Sequence, residues 1–103
     1  MTTERPPHGG TAPGPRDLVI EAPGTLSRPT SVGLVLLTPS GEPLSLRGDS
    51  TTAIWELARG GASPEDIVTE IILRFDVDEA TANRAVLDTL ELLVEKGAIQ
   101  RLR

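Results

Sequence analysis

Residues 49–99 decide the fold of this chain: DSTTAIWELARGGASPEDIVTEIILRFDVDEATANRAVLDTLELLVEKGAI. Apolar residues recur at helical spacing in three blocks, and only a few residues separate one block from the next. The first helix is predicted from about Ser50 to Arg59, with Asp49 or Ser50 as its N-cap. Gly60-Gly61 then ends it, because glycine readily adopts the positive φ that terminates helices.

The second and third helices carry stronger start signals. Ser63-Pro64-Glu65-Asp66 combines an N-cap serine, a proline in the first turn and two acidic residues at the positive end of the helix dipole. This second helix is predicted to continue to about Phe75. Asp78 is predicted to cap a third helix, Glu79 to Lys96, which Gly97 ends.

A hairpin precedes the helices, in residues 31–47 (SVGLVLLTPSGEPLSLR). The apolar run 32–37 is typical of a central strand. The alternation in 42–47 predicts a second strand, and Pro43, which has no N–H to donate, favours a sheet edge. A further strand is predicted at 18–21 or around 25–28.

These elements predict an α+β domain with a winged-helix-like plan: a small antiparallel sheet of about three strands within 18–47, then a three-helix bundle within 50–96. Residues 1–17 are rich in proline, glycine and charge, and they are predicted to be a disordered tail. Deleting residues 1–16 is therefore expected to leave stability unchanged. Residues 18–103 would form the domain.

Composition limits the chemistry available. Among 103 residues there is no cysteine, one tryptophan and one phenylalanine, which excludes disulfides and thiolate sites and predicts an aliphatic core around Trp55. No apolar run approaches the ~18 residues of a membrane span, and no signal peptide is recognisable, so a cytoplasmic protein with no membrane partner is expected.

No catalytic, cofactor or metal site is expected. His8 is the only histidine, and it lies in the predicted tail. The hydroxyls of residues 50–52 therefore have no base to activate them. The carboxylates of residues 76–79 are interpreted as a loop and a helix cap, because no ligand spacing recurs.

Charge argues against nucleic acid as a partner. The chain has a net charge of −5, and residues 49–100 hold eleven acidic and four basic side chains. Phosphate repulsion would oppose docking of the third helix in a DNA groove. A winged-helix DNA-binding regulator and a structural adaptor subunit nevertheless remain the alternative interpretations.

The order of four motifs resembles the PqqD family, the recognition elements that bind leader peptides of ribosomally synthesised and post-translationally modified peptides (RiPPs). The motifs are TTAIWEL at 51–57, SPEDI at 63–67, RFDVD at 74–78 and LVEKGAI at 93–99. One departure is Arg47-Gly48-Asp49, where the family usually has Leu-Asn before the first helix.

The resemblance implies a non-catalytic module that binds a precursor leader by β-strand addition. It implies as partners the leader and a RiPP maturation enzyme, which is a leader peptidase in lasso-peptide pathways and a cyclase or a radical-SAM enzyme for other members. The expected peptide-binding residues lie on the edge strand and the third helix: Pro43, Leu44, Ser45, Leu46, Arg47, Ala80, Asn83, Arg84, Leu87 and Glu91.

Overall fold

The structure is a computed structural model that describes residues 13–102. His8 and most of the predicted tail lie outside the described residues. The elements in chain order are β1 (Leu18–Glu21), β2 (Leu26–Thr30), β3 (Gly33–Leu37), β4 (Pro43–Arg47), α1 (Asp49–Arg59), α2 (Pro64–Phe75), α3 (Glu79–Glu95) and β5 (Ile99–Leu102). Within this range no helix is long and apolar enough to cross a lipid bilayer.

The α+β prediction is confirmed: a three-stranded antiparallel sheet of order β2-β3-β4 is followed by three helices. Both candidate first strands exist, but only β2 joins this sheet. β1 instead pairs with β5 in a separate two-stranded ladder, in which Leu18 lies opposite Leu102 and Glu21 opposite Ile99. The sequence did not predict β5, because the short segment 99–102 becomes a strand only where the fold brings it beside β1.

A side chain caps the N-terminus of α2 and of α3. The Ser63 side chain accepts a hydrogen bond from the Asp66 backbone N–H at 3.2 Å, and Asp78 accepts one from Thr81 N–H at 2.9 Å, as predicted. These interactions satisfy N–H groups that the first helical turn leaves without partners. Hydrogen bonds from the Thr81 side chain and N–H also lower the pKa of Asp78 below its usual 3.8.

The predicted cap of α1 is wrong. Gly48 occupies the N-cap position with φ 93°, and no side chain caps the helix there. The Thr52 hydroxyl instead donates to the Gly48 carbonyl at 2.9 Å. The positive φ explains why glycine stands at the junction between β4 and α1, since other residues adopt that conformation at a steric cost.

The core lies between the inner face of the three-stranded sheet and the helices, and it is almost entirely aliphatic. Trp55 is its largest member and is fully buried, as predicted. The Arg59 guanidinium lies 5.7 Å from the Trp55 ring centroid and forms an ion pair with Glu21 at 3.3 Å. Trp55 therefore fills the core, and Arg59 on the same helix contacts β1 through Glu21.

We expect Trp55→Ala to lower the free energy of unfolding by roughly 3–5 kcal/mol, because it leaves a large cavity in a small core. Trp55→Phe should cost much less, since the Trp55 Nε1 has no hydrogen-bond partner within the described range that would be lost. Urea denaturation followed by circular dichroism measures both. Equal stability of Trp55→Ala and the parent would contradict the assigned core role.

Candidate functional site

The outer edge of β4 is the first candidate surface. In the described range β4 pairs only with β3, with Leu34 opposite Leu46 and Leu36 opposite Leu44. Thr38 N–H donates to Glu42 O at 3.0 Å and Gly48 N–H to Val32 O at 3.0 Å, one at each end of the ladder. Backbone groups alternate in direction along a strand, so those of the even-numbered residues of β4 point to β3.

The odd-numbered residues consequently direct their backbone groups away from the sheet. The open edge presents the N–H and C=O groups of Ser45 and Arg47, together with the C=O of Pro43. Such a row of unpaired groups is a template for one more strand. The prediction that Pro43–Arg47 is an edge strand is confirmed by the strand order.

The side chains of β4 alternate as predicted. Leu46 is buried and Leu44 is half-buried, whereas Pro43, Ser45 and Arg47 are exposed. Leu44 packs against the core cluster without being enclosed by it. An apolar side chain therefore remains partly uncovered beside the open backbone.

The C-terminal end of α3 lies near the start of β4. The Lys96 ammonium, at the C-cap of α3, lies 3.4 Å from the Glu42 carboxylate just before β4. Residues 4, 7 and 11 positions before Lys96 share its side of the helix. These residues are Leu92, Thr89 and Ala85, all half-buried. We call β4 together with this flank the β4–α3 cleft.

Most of the predicted α3 residues lie elsewhere. Asn83 and Leu87 line a groove whose other walls are α2 residues such as Val68 and Ile72 and the segment at Pro13. No residue of β4 lines this groove. The structure thus brings together the five predicted β4 residues, but it places Asn83 and Leu87 on the α2 side of α3.

Among the other predicted helix residues, Glu91 lines a depression with Leu92, whereas Ala80 and Arg84 do not line it. Ala80 and Arg84 are exposed and Glu91 is half-buried, and helical periodicity places all three away from the stripe that ends at Lys96. Their contact with a peptide stays a prediction. Ala85 and Leu92, which the sequence did not single out, fit the stripe that ends at Lys96, and their contact with a peptide is likewise a prediction.

The groove between α2 and α3 holds part of the predicted tail. Pro13 is buried, and the Pro15 carbonyl accepts a hydrogen bond from the Glu65 backbone N–H at 3.1 Å. A turn holds this segment, because the Asp17 carboxylate accepts from Gly14 N–H at 2.8 Å. Residues 13–17 therefore lie against the start of α2, although the sequence assigns them to the tail.

Acidic side chains dominate the exposed surface of α3 beside the flank that ends at Lys96. Within residues 13–102 no group of three histidine, cysteine or acidic side chains could hold a metal ion. The exposed Asp88 and Glu95 and the half-buried Glu91 line a shallow depression on α3 together with Leu92. The site therefore offers backbone hydrogen bonds, apolar contact and negative charge.

Comparison with protein families gives one match: the model described as "Coenzyme PQQ synthesis protein D (PqqD)" covers residues 33–99. This range includes β3, β4, all three helices and the first residue of β5. No curated protein sequence matches the chain.

Three solved structures are similar. TbiB1 in complex with the TbiA(beta) leader peptide is 28% identical with a TM-score of 0.69, covering 79% of this chain and 94% of that chain. Lasso peptide synthetase B1 complexed with the leader peptide is 26% identical, TM-score 0.67, covering 80% and 96%. The PqqD truncation of Methylobacterium extorquens PqqCD, a stand-alone RiPP recognition element, is 26% identical, TM-score 0.72, covering 88% and 97%.

The segment 13–17 contacts α2, so its removal is now expected to destabilise the fold, in contrast to the sequence-based expectation of unchanged stability. Deleting residues 1–16 should lower the thermal midpoint by at least about 4 °C, since it removes a buried proline and a backbone hydrogen bond worth about 1 kcal/mol. Deleting residues 1–12 is the control and should leave the midpoint unchanged. Calorimetry showing identical midpoints for both deletions would mean that the segment does not stabilise the fold.

Proposed function

This chain belongs to the PqqD family, and from that premise we propose that it binds the leader segment of a ribosomally synthesised precursor peptide. The leader adds as a strand to the open edge of β4, and the chain presents it to a separate maturation enzyme such as a leader peptidase. The chain itself is non-catalytic in this proposal and works in the cytoplasm.

The observation that carries the proposal is the open β4 edge beside an incompletely covered apolar side chain. Strand addition needs unpaired N–H and C=O groups for affinity and adjacent pockets for specificity. The edge at Ser45 and Arg47 supplies the first, and in this proposal the half-buried Leu44 and the α3 depression at Leu92 supply the second. Two similar proteins, TbiB1 and lasso peptide synthetase B1, have been solved with leader peptides bound.

The alternation of an added strand divides the leader side chains between two environments. One set points toward Leu44 and the α3 flank, where an apolar residue would be desolvated and basic residues would meet Asp88 and Glu95. The other set points to the outer face of the sheet, where an acidic residue would meet Arg47. We therefore expect leaders that combine an apolar anchor with charges of both signs.

DNA binding is a weaker candidate on charge alone. The exposed face of α3 carries Asp88 and Glu95, which would meet phosphate if the helix entered a groove. A titration with duplex DNA beside one with the leader separates the two functions. Saturable binding of DNA, with none of the leader, would overturn the proposal.

Ser45→Pro tests the strand addition directly. This change removes an N–H that points to the open edge and leaves the hydrogen bonds between β3 and β4 in place, so we expect binding at least about tenfold weaker. Fluorescence anisotropy of a labelled leader peptide from the cognate precursor measures the Kd.

Ser27→Pro is the matched control. Its N–H points outward from β2, the opposite edge of the same sheet, as the pairing of Ser27 with Leu36 implies. Circular dichroism should report an intact fold for both variants. Addition at β4 would be ruled out by an equal loss of leader binding in both variants or by no loss in either.

The α3 contact is tested by a second pair of substitutions. Leu92→Asp should weaken leader binding about tenfold or more, because it forces a charge into a desolvated contact. Leu87→Asp, on the α2 side, should change the Kd by less than about threefold. The reverse ranking in the same anisotropy assay would favour the helix face made of Asn83, Arg84 and Leu87.

A further inference from the structure

The outer face of the three-stranded sheet, opposite the helices, carries an uncovered apolar row. Leu26 of β2 pairs with Leu37 of β3, which pairs in turn with Pro43 of β4. Paired residues project to the same face of a sheet, and this face is the one opposite the buried Leu36. Leu26 is 63% exposed and Leu37 is 40% exposed, so the row is open to solvent.

Two arginines stand beside this row on the same face. Arg28 pairs with Val35 in the next row, and Arg47 pairs with Gly33 in the row after that. Neither arginine forms an ion pair with another residue in the range 13–102, whereas Arg59, Arg74 and Lys96 each lie within 4.0 Å of a carboxylate.

The three strands themselves contain no acidic residue. The sheet face is consequently cationic, although residues 49–100 hold eleven acidic and four basic side chains. Charges of one sign gathered on one face of a protein of the opposite net charge steer association with an oppositely charged surface. We call Leu26, Arg28, Val35, Leu37, Pro43 and Arg47 the outer sheet face.

We infer that the outer sheet face is the docking surface for the maturation enzyme, and that the matching surface on the enzyme has an apolar centre rimmed by carboxylates. The apolar row would give a desolvated centre, and the two arginines would pair with the rim. This inference rests on the proposed function, since it supplies the partner to which the bound leader is presented.

Continuity with the leader edge supports this assignment. A leader strand added at β4 extends the same outer face by one strand, and every second leader side chain then projects beside Pro43 and Arg47. An enzyme seated on the outer sheet face would contact this chain and the leader at once. The geometry brings the enzyme to the loaded module without covering the β4–α3 cleft.

The test uses the double variant Leu26→Ser/Arg28→Glu, which alters β2, the strand farthest from the leader edge. The matched control is Leu73→Ser/Arg74→Glu, which changes an exposed leucine and arginine on α2. The probe is the purified enzyme that matures the cognate precursor, and its affinity for the leader-bound chain is measured by biolayer interferometry. Leader binding is measured separately by anisotropy.

We expect the β2 variant to weaken enzyme binding about fivefold or more with an unchanged leader Kd, and the control to alter neither. Raising the salt concentration should weaken enzyme binding more for the parent than for the variant, because only the parent keeps the charge of Arg28. An enzyme affinity unaffected by the β2 variant overturns the docking surface while leaving the proposed function intact.

Two other results also overturn the docking surface. The first is a parent chain that forms dimers by light scattering and that the β2 variant turns into monomers, because the outer sheet face would then join two copies of this chain. The second is equal weakening of enzyme binding by the α2 control. Failure of the parent to bind leader at all counts against the proposed function instead.

Discussion

The alternating direction of backbone hydrogen bonds along β4 is the constraint on which the proposed binding edge depends. An antiparallel strand forms backbone hydrogen bonds to its neighbour through every second residue, and the backbone groups of the remaining residues point outward. β3 takes the bonds of Leu44 and Leu46, so Ser45 and Arg47 remain available to a partner. The same alternation buries Leu46 and places Arg47 on the opposite face, which separates the packing role of β4 from its recognition role.

The junction after β4 keeps this edge open. Gly48 turns the chain directly from the strand into α1 through a positive φ, so the connection from β4 to α1 is too short to cross the edge. Trp55 then anchors α1 in the core, and Arg59 joins it to β1 through Glu21. At the other end, the Lys96 ammonium lies 3.4 Å from the Glu42 carboxylate, so the C-terminal end of α3 is near the start of β4.

Charge is divided between the two layers of the domain. The helices present carboxylates, and the outer sheet face presents two arginines, unpaired within the described part of the chain, beside an apolar row. Surface ion pairs contribute little to stability, so this division is better understood through association than through folding. A leader in the cleft would lie at the boundary between the two layers, and it would meet both signs of charge.

The sequence by itself determined the features that depend on neighbours in the chain. Ser63 and Asp78 cap helices through residues three positions away, and the alternation of β4 predicts which of its side chains are buried. Tertiary structure alone decided the pairing of β1 with β5, the packing of Pro13 against α2 and the flank of α3 that faces the sheet. Helical periodicity allows several stripes on α3, and the choice among them rests on contacts such as Lys96 with Glu42, which are far apart in sequence and meet only when the whole core assembles.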